Sequence, residues 1–517
     1  MRNPNSRFII AVDQGTTSTR VALFDLQGDL IAFHQECFSQ IRPQPSWHEQ
    51  DPEELYNSVT NSLDKCLNKF LEQGFRKDQI TCLGVTNQRE TTIAWDSTSG
   101  RPLYNATVWG DTRTKDMVTA AKKRHTHDDV VHKTGLPIST YSSALKLCWM
   151  LENVPAVKEA YQEGRLVFGT LDSWLIYKLN GGSERDLVVT DSTNASRTGF
   201  MDLSTRQYDR ELLEFYTTPQ YDLSRVRMPS IHPSADPVAY GSVRGGSLDG
   251  IPITGCVGDQ SAALIGHRGF SVGSAKATYG TGCFCVYNTG SKIFDRQHGL
   301  LSTIAYDFGS EMAYALEGSI ATAGSGVSFL VDNMGLAPNA AGISALADSV
   351  SDSGGVVFVT AFSGLFAPYW IDDARGTVFG ITMKTQRGHI ARAVLEAVCY
   401  QTKAAFDAAL AYDDGLMLKT LNVDGGMSQS NNCMQLQADI LGVDIVRPKM
   451  CEITALGACF TAGLGARIWN DTKEVDQIDL ANNPEILRAR RSDISGHEAF
   501  ITWQKAVKMS RGWLSCC

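Results

Sequence analysis

The chain carries no Cys-x-x-Cys pair and no His-Glu-x-x-His, so neither a zinc ribbon nor a zincin site is written into it. Its thirteen cysteines are odd in number and scattered over 517 residues. In a long chain they read as small buried hydrophobes in a reducing, cytoplasmic compartment, without a disulfide framework or a structural metal. No uninterrupted apolar run reaches the roughly 18–20 residues that span a bilayer. The richest, VVFVTAFSGLFAPYW (356–370), is broken by Thr, Ser, Gly and Pro and reads as a buried strand running into a loop. The first apolar run is too short for a secretory signal. Cys516 and Cys517 lack the usual C-terminal lipidation motif. A basic footprint is also missing: the net charge is −9, and the densest basic run is Lys122, Lys123 and Arg124. No nucleic-acid partner and no integral membrane segment are expected. A phosphate-binding Gly-x-x-x-x-Gly-Lys-Ser/Thr loop is absent too.

What is present is an ordinary globular composition, 43% hydrophobic and 20% charged, long enough for several domains. The apolar runs 8–12 and 21–25 read as strands, and DQGTTSTR (13–20) lies at the turn between them. Gly15 is expected to take a positive φ there, and the hydroxyls of Thr16, Thr17 and Ser18 with Arg20 suit a phosphate. A helix is expected over 51–71, capped by Asp51 with Pro52 in its first turn. ITCLGVTNQRETTIAWD (80–96) reads strand, polar break, strand, and helices are expected over 143–151 and 172–179. Residues 180–250 show no strong periodicity and read as turns and surface excursions.

A new strand–turn–helix begins at 251–266, and KATYGTGCFCVYN (276–288) repeats the opening pattern of strand, Gly-Thr-Gly turn, strand. Later come a strand and Gly-rich turn (317–330), a long helix (389–410), strand–glycine–helix (421–441) and a small-residue helix (454–466). Strands alternating with helices predict two α/β domains, 1–254 and 255–517, the second with a tail of unassigned role after about 470.

Three glycine turns follow strands: 13–20, 279–283 and 424–432. Glycine lets backbone approach a phosphate or a base closely, which favours a nucleotide between the domains. Asp13 and Asp259 each end a strand beside such a turn, where a carboxylate can hold Mg²⁺ or take a proton. A turn cap is the commoner role of a lone Asp. Arg89 and Glu90, in NQRE (87–90), pair a donor fork with an acceptor and suit adjacent hydroxyls, or else form a surface ion pair. Trp109, Tyr141 and Phe284 could wall a small substrate or simply fill the core.

These stretches occur in order with NATVW (105–109), FGTLDSWLIYKL (168–179), TDSTNASRT (190–198), GCVGDQSAALIG (255–266), FSGLFAPYWIDDARG (362–376), VDGGMSQSNN (423–432) and TALGA (454–458). Together they resemble the FGGY carbohydrate kinase family, in its glycerol-phosphorylating branch. The resemblance implies two ribonuclease-H-like (actin-like ATPase) domains with a catalytic cleft between them. It implies Mg²⁺- and ATP-dependent phosphorylation of glycerol to sn-glycerol 3-phosphate, in glycerol catabolism and glycerolipid supply, by a homodimer or homotetramer. Carried over by motif, Arg89, Glu90, Trp109, Tyr141, Asp259, Gln260 and Phe284 form the glycerol pocket. Asp259 is the general base, Asp13 and Asp259 are the metal-side carboxylates, and Arg20 completes a phosphate clamp. Gly15, Thr16, Thr17, Ser18, Arg20, Thr281, Gly282, Gly324, Gly425, Gly426 and Ser430 hold ATP.

Some positions depart from the family pattern. Phe366 replaces a glycine and is expected to narrow the cleft entrance. Ser328 and Ser430 replace side chains that contact the adenine. The 241–250 segment lacks a complete fructose bisphosphate loop, so that regulation is not expected. A kinase for another polyol or sugar, such as xylulose or gluconate, and a catalytically silent ATP-binding module remain the alternatives.

Overall fold

In the computed structural model, which describes residues 6–124, 126–294, 298–478, 484–490 and 494–512, the opening hairpin forms as expected. Strand Phe8–Gln14 pairs antiparallel with Ser18–Asp25, Asp13 opposite Arg20. The expected positive φ at Gly15 is not found. Crowding is the reason for glycine there, since a Cβ would lie 3.2 Å from the Ser18 carbonyl oxygen. Cys516 and Cys517 lie outside the described residues.

The hairpin belongs to a five-stranded sheet ordered Ile253–Gly258, Ile80–Asn87, Phe8–Gln14, Ser18–Asp25, Leu30–Cys37. The first three run parallel and the last two continue as an antiparallel meander. The same order recurs in the second half. Asp444–Arg447, Thr420–Asp424, Ala275–Tyr279, Cys283–Gly290 and Met312–Ile320 occupy the corresponding places, flanked by Glu485–Leu487 and Leu301–Asp307. Two ribonuclease-H-like sheets result, each opening on a hairpin.

The expected boundary at 254 falls inside the first sheet, because Ile253–Gly258 pairs with Ile80–Asn87. Helices Asp259–Gly266 and Ile453–Gly465 then pack between the sheets, sharing one core with Ile9, Ala11 and Cys82 of the first and Val286 and Ala315 of the second. The small residues of TALGACFTAGLGA make this possible: at Gly457 a Cβ would collide with the backbone of Ala262. Thr254 Oγ1 donates to the Ala462 carbonyl at 2.8 Å, tying strand to helix.

Helix Pro52–Glu72 starts where expected, its Asp51 carboxylate accepting from the Glu53 N–H. The two strands read over 80–96 enter different sheets. Ile80–Asn87 lies in the five-stranded one, and Thr92–Asp96 in a four-stranded one with Leu166–Thr170. The polar break between them is the crossing point. Residues 188–201 are buried throughout, against the expectation of a surface excursion. The tail also has a place. Trp503 and Val507 of helix Ile494–Met509 are buried in the second domain's core, and Trp503 Nε1 donates to the Phe358 carbonyl.

Candidate active site

Eight residues from both halves of the chain meet around one small cavity: Thr16, Arg89, Glu90, Trp109, Tyr141, Asp259, Gln260 and Phe284. Local structure aims each group. Glu90 stands at φ 60°, a left-handed conformation that costs a non-glycine residue on the order of 1–3 kcal/mol and recurs at functional sites. That bend carries Arg89 and Glu90 inward as the chain passes from one sheet to the other. Asp259 is the first residue of helix Asp259–Gly266, where the helix dipole favours a carboxylate. Trp109 packs edge-on against Tyr141 (5.7 Å) and Phe284 (5.8 Å), so three rings wall one side.

The polar side is an ion-pair chain. Arg89 sets two nitrogens on Glu317, Nη1 at 2.8 Å and Nη2 at 2.9 Å, while its Nε lies 3.3 Å from Asp259. Arg197 donates from Nε to Glu90 (2.6 Å) and from Nη2 to Glu317 (3.2 Å). Arg89, Glu90, Arg197 and Glu317 are all buried. Burial would push the Glu317 carboxyl up, but Arg197 and Arg89 together hold it down, to about 2. Asp259 goes the other way. Burial raises it, Arg89 only partly offsets that, Glu90 adds to it, and it stands at about 6. Its side chain keeps 25% exposure, toward the cavity. Gln260 accepts from Lys276 Nζ, which also donates to Thr278 Oγ1 at 2.8 Å.

Sequence reasoning missed Arg197, Glu317 and Lys276. A signal for Glu317 exists: it is the lone charge in the strand MAYALEGSI, and a carboxylate there requires a cation.

A second, larger space of about 980 Å³ opens in the second half of the chain. Against it the first cavity holds about 40 Å³. Gly280, Thr281, Gly324, Gly426, Ser328 and Ser430 line the large groove. Gly282 and Gly425, also expected to hold ATP, do not line the groove themselves; they lie in the turns beside Thr281 and Gly426, which do. Gly425 has φ 87°, and a Cβ there would stand 2.5 Å from the Tyr279 carbonyl oxygen. Ser430 caps helix Asn431–Leu441 and its hydroxyl lies 3.2 Å from that of Ser344.

The first hairpin tip is divided between roles. Asp13 is buried and accepts from Arg20 Nη1 at 3.3 Å. Burial raises Asp13, Arg20 offsets part of this, and it stands at about 6. Thr17 is exposed. Thr16 lines the small cavity and accepts from Trp109 Nε1 at 3.0 Å, away from the groove where a nucleotide contact was expected. Ser18 is buried, lines neither space and accepts from Gln35 at 2.9 Å. Phe366 lines neither space; it stacks on Trp370.

Among the described residues one further cluster could suit a metal: Asp172, Asp191 and Cys256, all buried. Its carboxylates are already satisfied. Asp172 takes Thr170 and Thr190 hydroxyls at 2.5 and 2.6 Å, and Asp191 takes Thr193, Ser234 and Asn194 donors.

Two ribonuclease-H-like domains, a small polar cavity spanning both and a large glycine-lined groove beside it define an actin-like phosphotransferase scaffold. Family models agree with that class. The N-terminal domain of the FGGY family of carbohydrate kinases matches residues 8–266, and its C-terminal domain matches 275–466. The chain belongs to the FGGY family of carbohydrate kinases. A glycerol kinase of Brucella anthropi is 45% identical over 513 residues, 98% of this chain and 100% of that one. A probable glycerol kinase of Dictyostelium discoideum is 42% identical over 549 residues, 98% and 99% of the two chains. Among solved structures, Plasmodium falciparum glycerol kinase with ADP superposes with a TM-score of 0.88 at 37% identity, covering 98% of this chain and 99% of that one. A gluconate kinase of Lactobacillus acidophilus, at 22% identity, shares the fold with a TM-score of 0.81 over 98% and 97% of the two chains.

Proposed function

We propose that this protein transfers the γ-phosphoryl group of ATP to a terminal hydroxyl of glycerol, giving sn-glycerol 3-phosphate and ADP. The observation that carries this reading is the small cavity, where a donor fork, two carboxylates and an amide face three aromatic rings. Its volume suits a triol, and a pentulose would need the walls to move. Arg89 donates to one hydroxyl and Glu90 accepts from its neighbour, while Trp109, Tyr141 and Phe284 cover the carbon skeleton. Asp259 takes the proton of the attacking hydroxyl as the new O–P bond forms and the bond to ADP breaks. Carboxylates near 6 are ionised at neutral pH and still basic enough for that task.

ATP occupies the large groove, its phosphates directed over the turns at Thr281, Gly324 and Gly425 toward Asp13 and Arg20. Asp13 fits a magnesium ion. It is a buried acid with one cationic partner at 3.3 Å, and burial leaves its negative charge undercompensated. Bound Mg²⁺ would neutralise charge on the phosphates. Arg20 adds a fixed cation from the protein. The eleven cysteines among the described residues are all free thiols, and no helix there is long and apolar enough to cross a membrane.

The test is ADP release with Mg-ATP in the presence of glycerol, D-xylulose, D-gluconate or no acceptor. Turnover with glycerol alone is expected. Turnover with a larger sugar overturns the reading of the cavity, and ATP binding without acceptor-dependent turnover overturns the reading as an enzyme.

A further inference from the structure

We infer that Glu317, which does not line the cavity, is the positioning residue that aims both glycerol-gripping side chains, and that it does so from the opposite domain. The inference rests on the glycerol reading of the cavity.

Glu317 lies in strand Met312–Ile320 of the second sheet. Arg89 and Arg197 come from the first half of the chain. One carboxylate therefore receives two guanidinium groups across the domain junction: Arg89 through two nitrogens at 2.8 and 2.9 Å, and Arg197 through one at 3.2 Å. Each arginine then addresses the cavity. Arg89 is held as one of its walls, and Arg197 fixes the Glu90 carboxylate at 2.6 Å. The chain runs Asp259, Arg89, Glu317, Arg197, Glu90, so the two ends that meet substrate are joined through a group that never touches it. Arg89 and Arg197 each donate to the same Glu317 oxygen, with Arg89 Nη1 2.8 Å from the other, and charge-assisted contacts this short constrain where both guanidinium groups lie.

Burial makes the arrangement stringent. Glu317 and Arg197 are fully buried, and without the central carboxylate the two guanidinium groups would face each other with Lys276 nearby. A fork that has lost its anchor still carries its charge but no longer its aim. Discrimination between hydroxyl patterns depends on aim: a site built to bond a hydroxyl rejects an analogue lacking it only while its polar groups are held in place. Because the anchor belongs to the second domain, acceptor recognition exists only in the docked arrangement of the two domains.

The experiment compares kcat/KM for glycerol and for propane-1,3-diol, which lacks the middle hydroxyl, in the full-length protein and in Glu317→Gln. The expected result is a preference for glycerol reduced about tenfold or more, with KM for ATP changed less than about twofold. Glu317→Asp, which keeps the charge and shortens the reach, is expected to lose less of the preference. It carries the same measurement if the glutamine variant does not fold. A uniform loss for both acceptors, with the preference unchanged, overturns the inference and leaves Glu317 a structural residue. An equal rise in KM for ATP and glycerol overturns it as well. Absence of glycerol-dependent turnover in the unsubstituted protein overturns the underlying reading instead, so the two failures are told apart.

Discussion

The two spaces of the cleft are built by opposite means. The groove of about 980 Å³ is lined by one stretch of chain, 279–432, with glycine, alanine, serine and threonine alternating with apolar and amide side chains such as Val327, Leu395, Met427 and Asn431. The cavity of about 40 Å³ is made of long charged and aromatic side chains from both domains, held by buried ion pairs. The difference follows from what each must bind. A polyanion with a flat base asks for close backbone approach and room. A small uncharged triol offers only hydroxyls, so its site needs fixed donors and acceptors at short range, and their charges must be balanced out of water.

Substitutions should separate the two spaces cleanly. The largest effect is expected for Asp259→Asn. It should lower kcat about 10²–10⁴-fold, the usual contribution of a general base, while ATP affinity measured by calorimetry changes little. Unchanged turnover would remove Asp259 from that role. Next is pH. Because Asp259 stands at about 6, kcat/KM for glycerol should fall about tenfold per unit as pH drops below that value, with activity gained as pH rises through it. A flat profile between pH 5 and 7 would contradict the assignment. Gly425→Ala should disturb the groove alone. With φ at 87° and a methyl aimed at the Tyr279 carbonyl, KM for ATP should rise about tenfold and KM for glycerol should hold. A matching rise for glycerol would show that the two spaces are not independent.

The smallest effect should come from outside the cleft. Burial raises Asp172, Asp191 adds to it, and it stands at about 7. A carboxyl raised on folding stabilises below its unfolded value and loses that contribution as pH rises through 7. Asp172→Asn lacks this dependence. It should leave kcat unchanged, and its deficit in Tm should be smaller at pH 8 than at pH 5. A deficit that grows with pH would reverse the sign assigned to Asp172.

Much of the fold was legible because it rests on local rules. Apolar runs and glycine turns marked both hairpins, Asp51 and Pro52 marked a helix start, and the repeat of the opening pattern at 276–288 anticipated the paired sheets. The boundary was not legible, because a strand's partner is chosen by tertiary pairing and nothing in 251–258 says which sheet it joins. Nor was the buried state of 188–201, where polar residues are internal because they satisfy one another. The motif residues Arg89, Glu90, Trp109, Tyr141, Asp259, Gln260 and Phe284 do meet at one cavity. Ser18 and Phe366 line neither space: Ser18 is buried against Gln35, and Phe366 stacks on Trp370.

By itself the sequence determined the elements, the glycine turns and the kinds of group available to the cleft, since these depend on residues near one another in the chain. Only the tertiary structure decided that Glu317 would cross from the second domain to hold Arg89 and Arg197. A buried charge takes its partner from whatever folding brings within reach, and these partners lie 228 and 120 residues away along the chain.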